Sequence, residues 1–130
     1  MTRRITTIAL APPAAAVALM LLAADASRAQ EDGQIEFNNH CRTCHSMDEG
    51  DHRLGPSLHG IVGREAGSQE GFAYSSAMQA SDVVWDEETL DRFLADTNSV
   101  VPGNNMTPPY SGIAEPDVRA AIVEFLRSGG

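Results

Sequence analysis

The sequence of 130 residues contains no lysine, and all nine of its basic side chains are arginine. Eighteen Asp and Glu residues give it a formal net charge of −9. It has two cysteines, and its aromatic residues are one Trp, two Tyr and four Phe. Binding to nucleic acid or to anionic lipid needs a basic patch, so this composition excludes both functions.

The N-terminal segment is typical of a secretory signal. Arg3 and Arg4 precede an apolar stretch at residues 5–24, and residues 27–29 form a small-x-small cleavage site. We therefore predict a signal peptide at residues 1–29. The alternative is a retained anchor, because twenty apolar residues are just long enough to span a bilayer.

Pro12 and Pro13, in the middle of the apolar stretch, favour the signal over the anchor. Cleavage after Ala29 would leave one domain at residues 30–130, with six Arg against seventeen Asp and Glu, a net charge of −11. This part has no second apolar run. We expect an exported, periplasmic protein with no stable membrane insertion once the signal is cleaved.

The remaining sequence predicts about four helices separated by long loops. The predicted helices are residues 34–41, a turn at 75–79, a helix capped by Asp86 and a helix opened by Pro116. The loops at 50–71 and 98–112 are rich in Gly, Pro, Asn and Ser. Loops of this length are unusual in a compact domain unless they wrap something.

One motif indicates what they wrap. Cys41 and Cys44 are followed directly by His45, which is the attachment signature of c-type haem. Two thiols three residues apart can each bond one vinyl group of a porphyrin, and the next residue supplies the proximal imidazole. A thioredoxin-like dithiol would need a βαβ setting, and a zinc site would need more ligands at finger-like spacing. The sequence offers neither.

The best candidate for the second axial ligand of the iron is Met106. It lies in a loop that glycine and prolines restrict, which lowers the entropy cost of presenting its thioether. Met47 is too close to His45, and Met78 lies on a helical turn where a core role is expected. The alternative ligand is His59, which would give a lower potential.

Seven motifs in order over residues 33–126 resemble the class I cytochromes c. They are Cys41-x-x-Cys44-His45, the segments 54–60, 63–64, 71–74 and 84–90, Val101-Pro102-Gly103-x-x-Met106, and Ile122-x-x-Phe125-Leu126. The resemblance implies an all-α fold in which helices and long loops wrap one covalently bound haem c.

The resemblance also implies roles around the haem. The proline matching Pro56 offers its carbonyl to the proximal imidazole. Arg64, Tyr74 and Trp85 match residues that interact with the inner haem propionate or its water, and a buried propionate needs such partners. Positions matching Gly33, Phe37 and Phe125 form the crossing of the first and last helices.

Several positions depart from the family pattern. Phe93 stands where a tyrosine often bonds the methionine sulfur, a role for which Tyr110 is the possible replacement. Met78 replaces a commonly polar residue, and Asn104 stands where a hydroxyl usually contacts a propionate. The segment 107–111 is two residues longer than in the mitochondrial form.

Iron held by His45 and Met106 has no open position for a substrate, and no catalytic triad or phosphate loop occurs elsewhere. We therefore expect a monomeric one-electron carrier, not an enzyme. Expected transient partners are a quinol-cytochrome c reductase and a terminal oxidase or reaction centre. The alternatives are a dedicated haem subunit of a periplasmic dehydrogenase, and a sensor or peroxidase whose distal ligand leaves.

The surface charge differs from that of the mitochondrial-like members, where a ring of lysines steers docking onto acidic partners. Only one of the eight matching positions is reliably basic: Ile35, His40, Arg53, Asn98, Ser99, Asn105, Ala114 and Glu115. Our hypothesis is a partner that is basic or chiefly apolar, or a high-salt habitat that screens such steering.

Overall fold

The computed structural model describes residues 14–130, and this part of the chain is built from helices and loops. The helices are α1 (Ala14–His40), α2 (Ser76–Gln79), α3 (Glu87–Ala95), α4 (Thr97–Val100) and α5 (Pro116–Ser128). The predicted all-α fold is confirmed. Arg3, Arg4, Pro12 and Pro13, on which the signal prediction partly depends, lie outside the described residues.

Helix α1 is longer than predicted. The sequence pattern placed a short helix at residues 34–41, whereas the structure has one unbroken helix that begins at Ala14 and ends at His40. Residues 14–29 are mostly Ala and Leu, with no Gly or Pro to end a helix. No described helix combines the length and the apolar character that a membrane crossing needs.

The exposure of α1 changes at Gln30. Every described side chain from 20 to 29 is exposed, whereas the Gln30 amide oxygen accepts a hydrogen bond from Ser128 Oγ at 2.8 Å. Among the positions whose burial is described, Gly33 is the first buried one. The packed part of the molecule therefore begins close to the predicted cleavage site.

Helices α1 and α5 cross at Gly33. A Cβ there would lie 2.6 Å from the Ala121 carbonyl oxygen and 2.7 Å from Phe125 Cβ, so only glycine permits this approach. One turn further, the Phe37 and Phe125 rings pack with centroids 5.3 Å apart. The predicted helix crossing is confirmed, and it fixes the end of α1 from which Cys41 emerges.

Helix α3 begins as the sequence predicts. The Asp86 carboxylate accepts a hydrogen bond from the Thr89 amide at 2.7 Å, and Thr89 Oγ1 accepts one from the Asp86 amide at 2.8 Å. This capping box satisfies two amides that the helix leaves free. Leu90, Phe93 and Leu94 form the buried face.

Helix α4 was not predicted. It has four residues and no apolar period, and it begins where the Asp96 carboxylate accepts a hydrogen bond from the Asn98 amide at 3.0 Å. Its first residue, Thr97, is 2% exposed. The helix joins α3 to the loop that carries Met106.

Candidate functional site

The cysteine motif continues directly from α1. The Cys41 amide donates to the Phe37 carbonyl at 2.8 Å, and the His45 amide donates to the Cys41 carbonyl at 2.9 Å. These bonds hold Cys41, Cys44 and His45 on one tight turn. Cys41 is buried and Cys44 is half-buried.

The surroundings of the two cysteines do not favour a dithiol or a zinc site. Burial, with a smaller contribution from Cys44, raises the pKa of the Cys41 thiol to about 12, whereas redox dithiols need a lowered pKa. Among residues 14–130, no group of three or more His, Cys, Asp and Glu side chains is placed to hold a metal. The raised pKa of Cys41 is unlike that of a redox dithiol.

His45 is oriented by a backbone carbonyl. Its ring is 8% exposed, and Nδ1 lies 2.8 Å from the Pro56 carbonyl oxygen. The carbonyl only accepts, so Nδ1 carries the proton and Nε2 presents its lone pair. Burial lowers the pKa of His45, against the opposing effect of the Pro56 hydrogen bond, and so favours the neutral ring that binds iron.

The His45 ring also lies against Gly55. A Cβ at Gly55 would be 2.2 Å from the ring carbon Cε1 and 2.6 Å from Nδ1. Gly55 lies in the family-like segment 54–60 but has no predicted role of its own, because its importance comes from a contact across the fold. The backbone at this position cradles the imidazole, and any side chain would displace it.

We expect Gly55→Ala to destabilise the holoprotein by about 3 kcal/mol, the upper end of the usual range for overpacking, because the added methyl would lie 2.2 Å from the ring. Thermal unfolding of the holoprotein measures the effect. Gly60→Ala is the control: its φ is +61°, but a Cβ there meets nothing within 4 Å, so it carries only backbone strain of about 1 kcal/mol. Equal losses in the two variants would contradict the cradle.

One buried nitrogen of Arg64 has no hydrogen-bond partner among the residues that the structure describes. Its Nη1 donates to the His59 carbonyl at 2.8 Å and to Gln69 Oε1, and Nη2 donates to the Ser57 carbonyl at 3.3 Å. Nε is buried and has no partner among the described residues. A buried donor of this kind needs an acceptor, and a carboxylate such as a haem propionate fits it.

The structure brings Arg64, Trp85 and Tyr74 into one region. The Trp85 amide donates to the Arg64 carbonyl at 2.9 Å, within an antiparallel bridge formed by Glu65 and Val84. Burial raises the pKa of Tyr74, and nearby Arg64 partly offsets that rise. The roles of these side chains toward a propionate stay predictions.

Met106 lies half-buried against the core, in a loop that Asn104 braces. Asn104 Oδ1 accepts hydrogen bonds from the Met106 amide at 2.9 Å and the Thr107 amide at 3.3 Å. Its Nδ2 donates to the Val101 carbonyl at 2.8 Å. Asn104 is thus a loop brace, which gives this departure from the family pattern a structural role.

The other candidate ligands of the iron lie in different settings. Met47 packs against Gly130: a Cβ added at Gly130 would lie 3.3 Å from Met47 Cε. Met78 is half-buried against the core, and its amide donates to Ser75 Oγ at 3.1 Å. His59 is exposed. Exposure sets His59 apart, whereas Met78 and Met106 are both half-buried against the core, so Met106 as the ligand stays a prediction.

The Tyr110 hydroxyl does not take the role suggested for it. It donates its single proton to the Leu94 carbonyl, so it has none for the Met106 sulfur. Burial, with a further contribution from Cys41, raises the pKa of Tyr110 to about 12. The hydroxyl is therefore a loop-to-helix contact.

Comparison with known proteins gives a consistent result. The Cytochrome c family model matches residues 30–130. Cytochrome c2 iso-2 of Magnetospirillum molischianum is 42% identical over 88 residues, 68% of this chain and 89% of that protein. Cytochrome c2 iso-1 of Magnetospirillum fulvum is 37% identical over 97 residues, 75% of this chain and 97% of that protein.

A solved structure shows the same fold. Cytochrome cH from Methylobacterium extorquens matches with a TM-score of 0.69 and 33% identity, over 75% of this chain and 96% of that one. The chain belongs to the cytochrome c family. Members bind one covalent haem c, and Cys41 and Cys44 fit the family's attachment motif. They are electron carriers that work with redox partners, and they are not enzymes.

Proposed function

We propose that this protein is an exported, periplasmic one-electron carrier in which His45 and Met106 are the axial ligands of a six-coordinate low-spin haem c. The observation that carries the proposal is the buried His45 ring beside the cysteine turn, with Nδ1 bonded to the Pro56 carbonyl. Bound haem c supplies one-electron exchange between ferric and ferrous iron.

The chain's own residues would do three things for that exchange. Cys41 and Cys44 would hold the group covalently, and the Pro56 carbonyl would keep Nε2 of His45 aimed at the iron. The Arg64 Nε, which has no partner among the described residues, would pair with a propionate and offset the cost of burying the propionate charge. With both axial positions filled, no site would remain for a substrate.

Export is supported by the sequence and by exposure. The pattern at residues 1–29 is typical of a signal peptide, and the described side chains at 20–29 are exposed, whereas Gln30 contacts Ser128 and Gly33 is buried. Haem attachment outside the cytoplasm fits this location. The domain at residues 30–130 would then act as a diffusible monomer between a quinol-cytochrome c reductase and an oxidase or reaction centre.

The surface indicates a partner that is not acidic. All eight positions of the family's lysine ring are exposed here, yet Arg53 is paired with Asp51 at 2.9 Å, and Ile35 is apolar and 48% exposed. Residues 30–130 carry a net charge of −11. We therefore propose that this protein docks onto a basic or chiefly apolar surface of its partner.

Spectroscopy and fractionation of the native holoprotein test the proposal. We expect the holoprotein in the periplasmic fraction, with a thioether-to-iron charge-transfer band in its oxidised spectrum at neutral pH. Absence of the band would indicate a five-coordinate or bis-imidazole site and contradict Met106 as ligand. Stoichiometric co-purification with one dehydrogenase would favour the dedicated-subunit alternative over a diffusible carrier.

Salt dependence tests the partner chemistry separately. Electron transfer to an oxidase with an acidic docking site should be slow at low ionic strength and speed up as salt screens the repulsion. Stopped-flow measurement at several ionic strengths gives the slope. A rate that falls as salt is raised would contradict the proposed docking surface.

A further inference from the structure

The segment after Met106 is tied to α3 and α4 by side-chain hydrogen bonds. Thr97 Oγ1 and Thr107 Oγ1 lie 2.7 Å apart, and Thr107 Oγ1 donates to the Tyr110 carbonyl at 2.8 Å. A hydroxyl has one proton, so Thr97 is the donor to Thr107. The chain of bonds runs from the buried start of α4 into the Met106 loop.

A second tie ends on α3. The Leu94 carbonyl lies in the last turn of the helix, where carbonyls lack an intrahelical partner. It accepts one hydrogen bond from the Tyr110 hydroxyl and another from the Ile113 amide, at 2.9 Å for the amide. The Leu94 carbonyl thus bonds two residues of the segment that follows Met106, Tyr110 and Ile113.

Thr97, Thr107, Tyr110 and the Leu94 carbonyl are called the loop latch below. We propose that the loop latch positions the Met106 thioether, and that Tyr110 and Thr107 are positioning residues for electron transfer. This inference rests on the proposed role of Met106 as axial ligand. The proposal gives a function to the segment 107–111, which is two residues longer than in the mitochondrial form.

The latch acts on the loop and not on the sulfur. Phe93, 8% exposed and packed on Trp85 with ring centroids 4.9 Å apart, has no hydroxyl to offer the thioether. The Tyr110 hydroxyl is already bonded to Leu94. Detaching Met106 from iron requires its loop to move, so bonds that hold the loop raise the cost of detachment. The latch therefore lowers the population in which the ligand is off.

Exogenous imidazole measures that population, because it binds the iron only when Met106 is off. In Tyr110→Phe holoprotein the loss of one hydrogen bond should raise the apparent affinity for imidazole roughly fivefold. The charge-transfer band should also be lost at a lower denaturant concentration than global helix content. Ser111→Ala is the control, since it removes an exposed neighbouring hydroxyl outside the latch, and it should leave both readouts unchanged.

Thr107 provides a second variant within the same loop latch. Thr107→Val removes the hydroxyl at nearly constant shape and should also raise the imidazole affinity severalfold, whereas Thr107→Ser keeps the hydroxyl and should restore the original value. In the double variant Tyr110→Phe with Thr107→Val, the change in imidazole binding free energy should be smaller than the sum of the two single changes, because both residues belong to one hydrogen-bond network. Imidazole affinities equal to wild type in both single variants would overturn the latch.

Failure of the latch is distinguishable from failure of the ligand assignment. Met106→Ala should bind imidazole far more tightly than any latch variant, since its iron is permanently open. If Met106→Ala and the unmodified protein bind imidazole equally, the proposed function is wrong. If Met106→Ala differs strongly and the latch variants do not, only the latch is wrong.

Discussion

Met106→Ala is expected to lower the midpoint potential by more than roughly 100 mV, since axial ligands set haem potentials over a range of about 0.8 V. A thioether opposite imidazole favours ferrous iron, and its replacement by water or hydroxide stabilises the ferric form. A redox titration of the purified holoprotein measures the shift. The charge-transfer band of the oxidised protein should disappear in the same variant.

Met78→Ala is the matched control. Met78 is also half-buried against the core, so its truncation should reduce stability by a core-cavity effect and leave the potential and the band in place. The reverse pattern, a lost band in Met78→Ala and a retained one in Met106→Ala, would reassign the ligand. A band retained in both variants would contradict Met106 as the ligand without supporting Met78.

The second large effect is expected from the cysteines. The double variant Cys41→Ala with Cys44→Ala should lose all covalently attached haem, because it has no thiol left to form a thioether. Haem staining of a denaturing gel measures this directly. The segment 30–130 has only seven aromatic residues and buries little apolar surface, so the double variant should also show reduced helix content by circular dichroism.

The two single cysteine variants should show intermediate haem attachment. Cys41→Ala and Cys44→Ala should each keep one possible thioether and give partial attachment, with Cys41 the more disruptive since it is the more buried of the two. Haem that stays on the denatured double variant would refute attachment through these residues. A stable, fully helical double variant without haem would show instead that the core does not need the group.

Local chemistry explains what the sequence could predict. The start of α3 was predicted from Asp86, because a capping box is a contact between residues three apart. The start of α5 was predicted from Pro116, which needs no amide partner in the first turn. The turn carrying Cys41 and His45 depends likewise on neighbours in the sequence.

The missed features depend on contacts across the fold. Gly55 is distinguished only by its approach to the His45 ring, and Gln69 only by accepting from Arg64, and neither contact leaves a sequence pattern. The loop role of Asn104 was missed because its partners are backbone amides. The predicted α1 was too short, because the high helix propensity of residues 14–29 continues the helix across the predicted end of the signal peptide.

Because α1 continues without a break through the predicted cleavage site, cleavage would change the electrostatics of its N-terminal end. In the full chain, Glu31 and Asp32 lie in the middle of the helix, remote from either end of its macrodipole. Cleavage after Ala29 would make them part of the first turn of a shorter helix, where carboxylates stabilise the positive end. They would also lie next to the new α-ammonium group of Gln30, whose charge opposes the dipole. Removal of the leader would thus create a helix terminus that already carries the charges it needs.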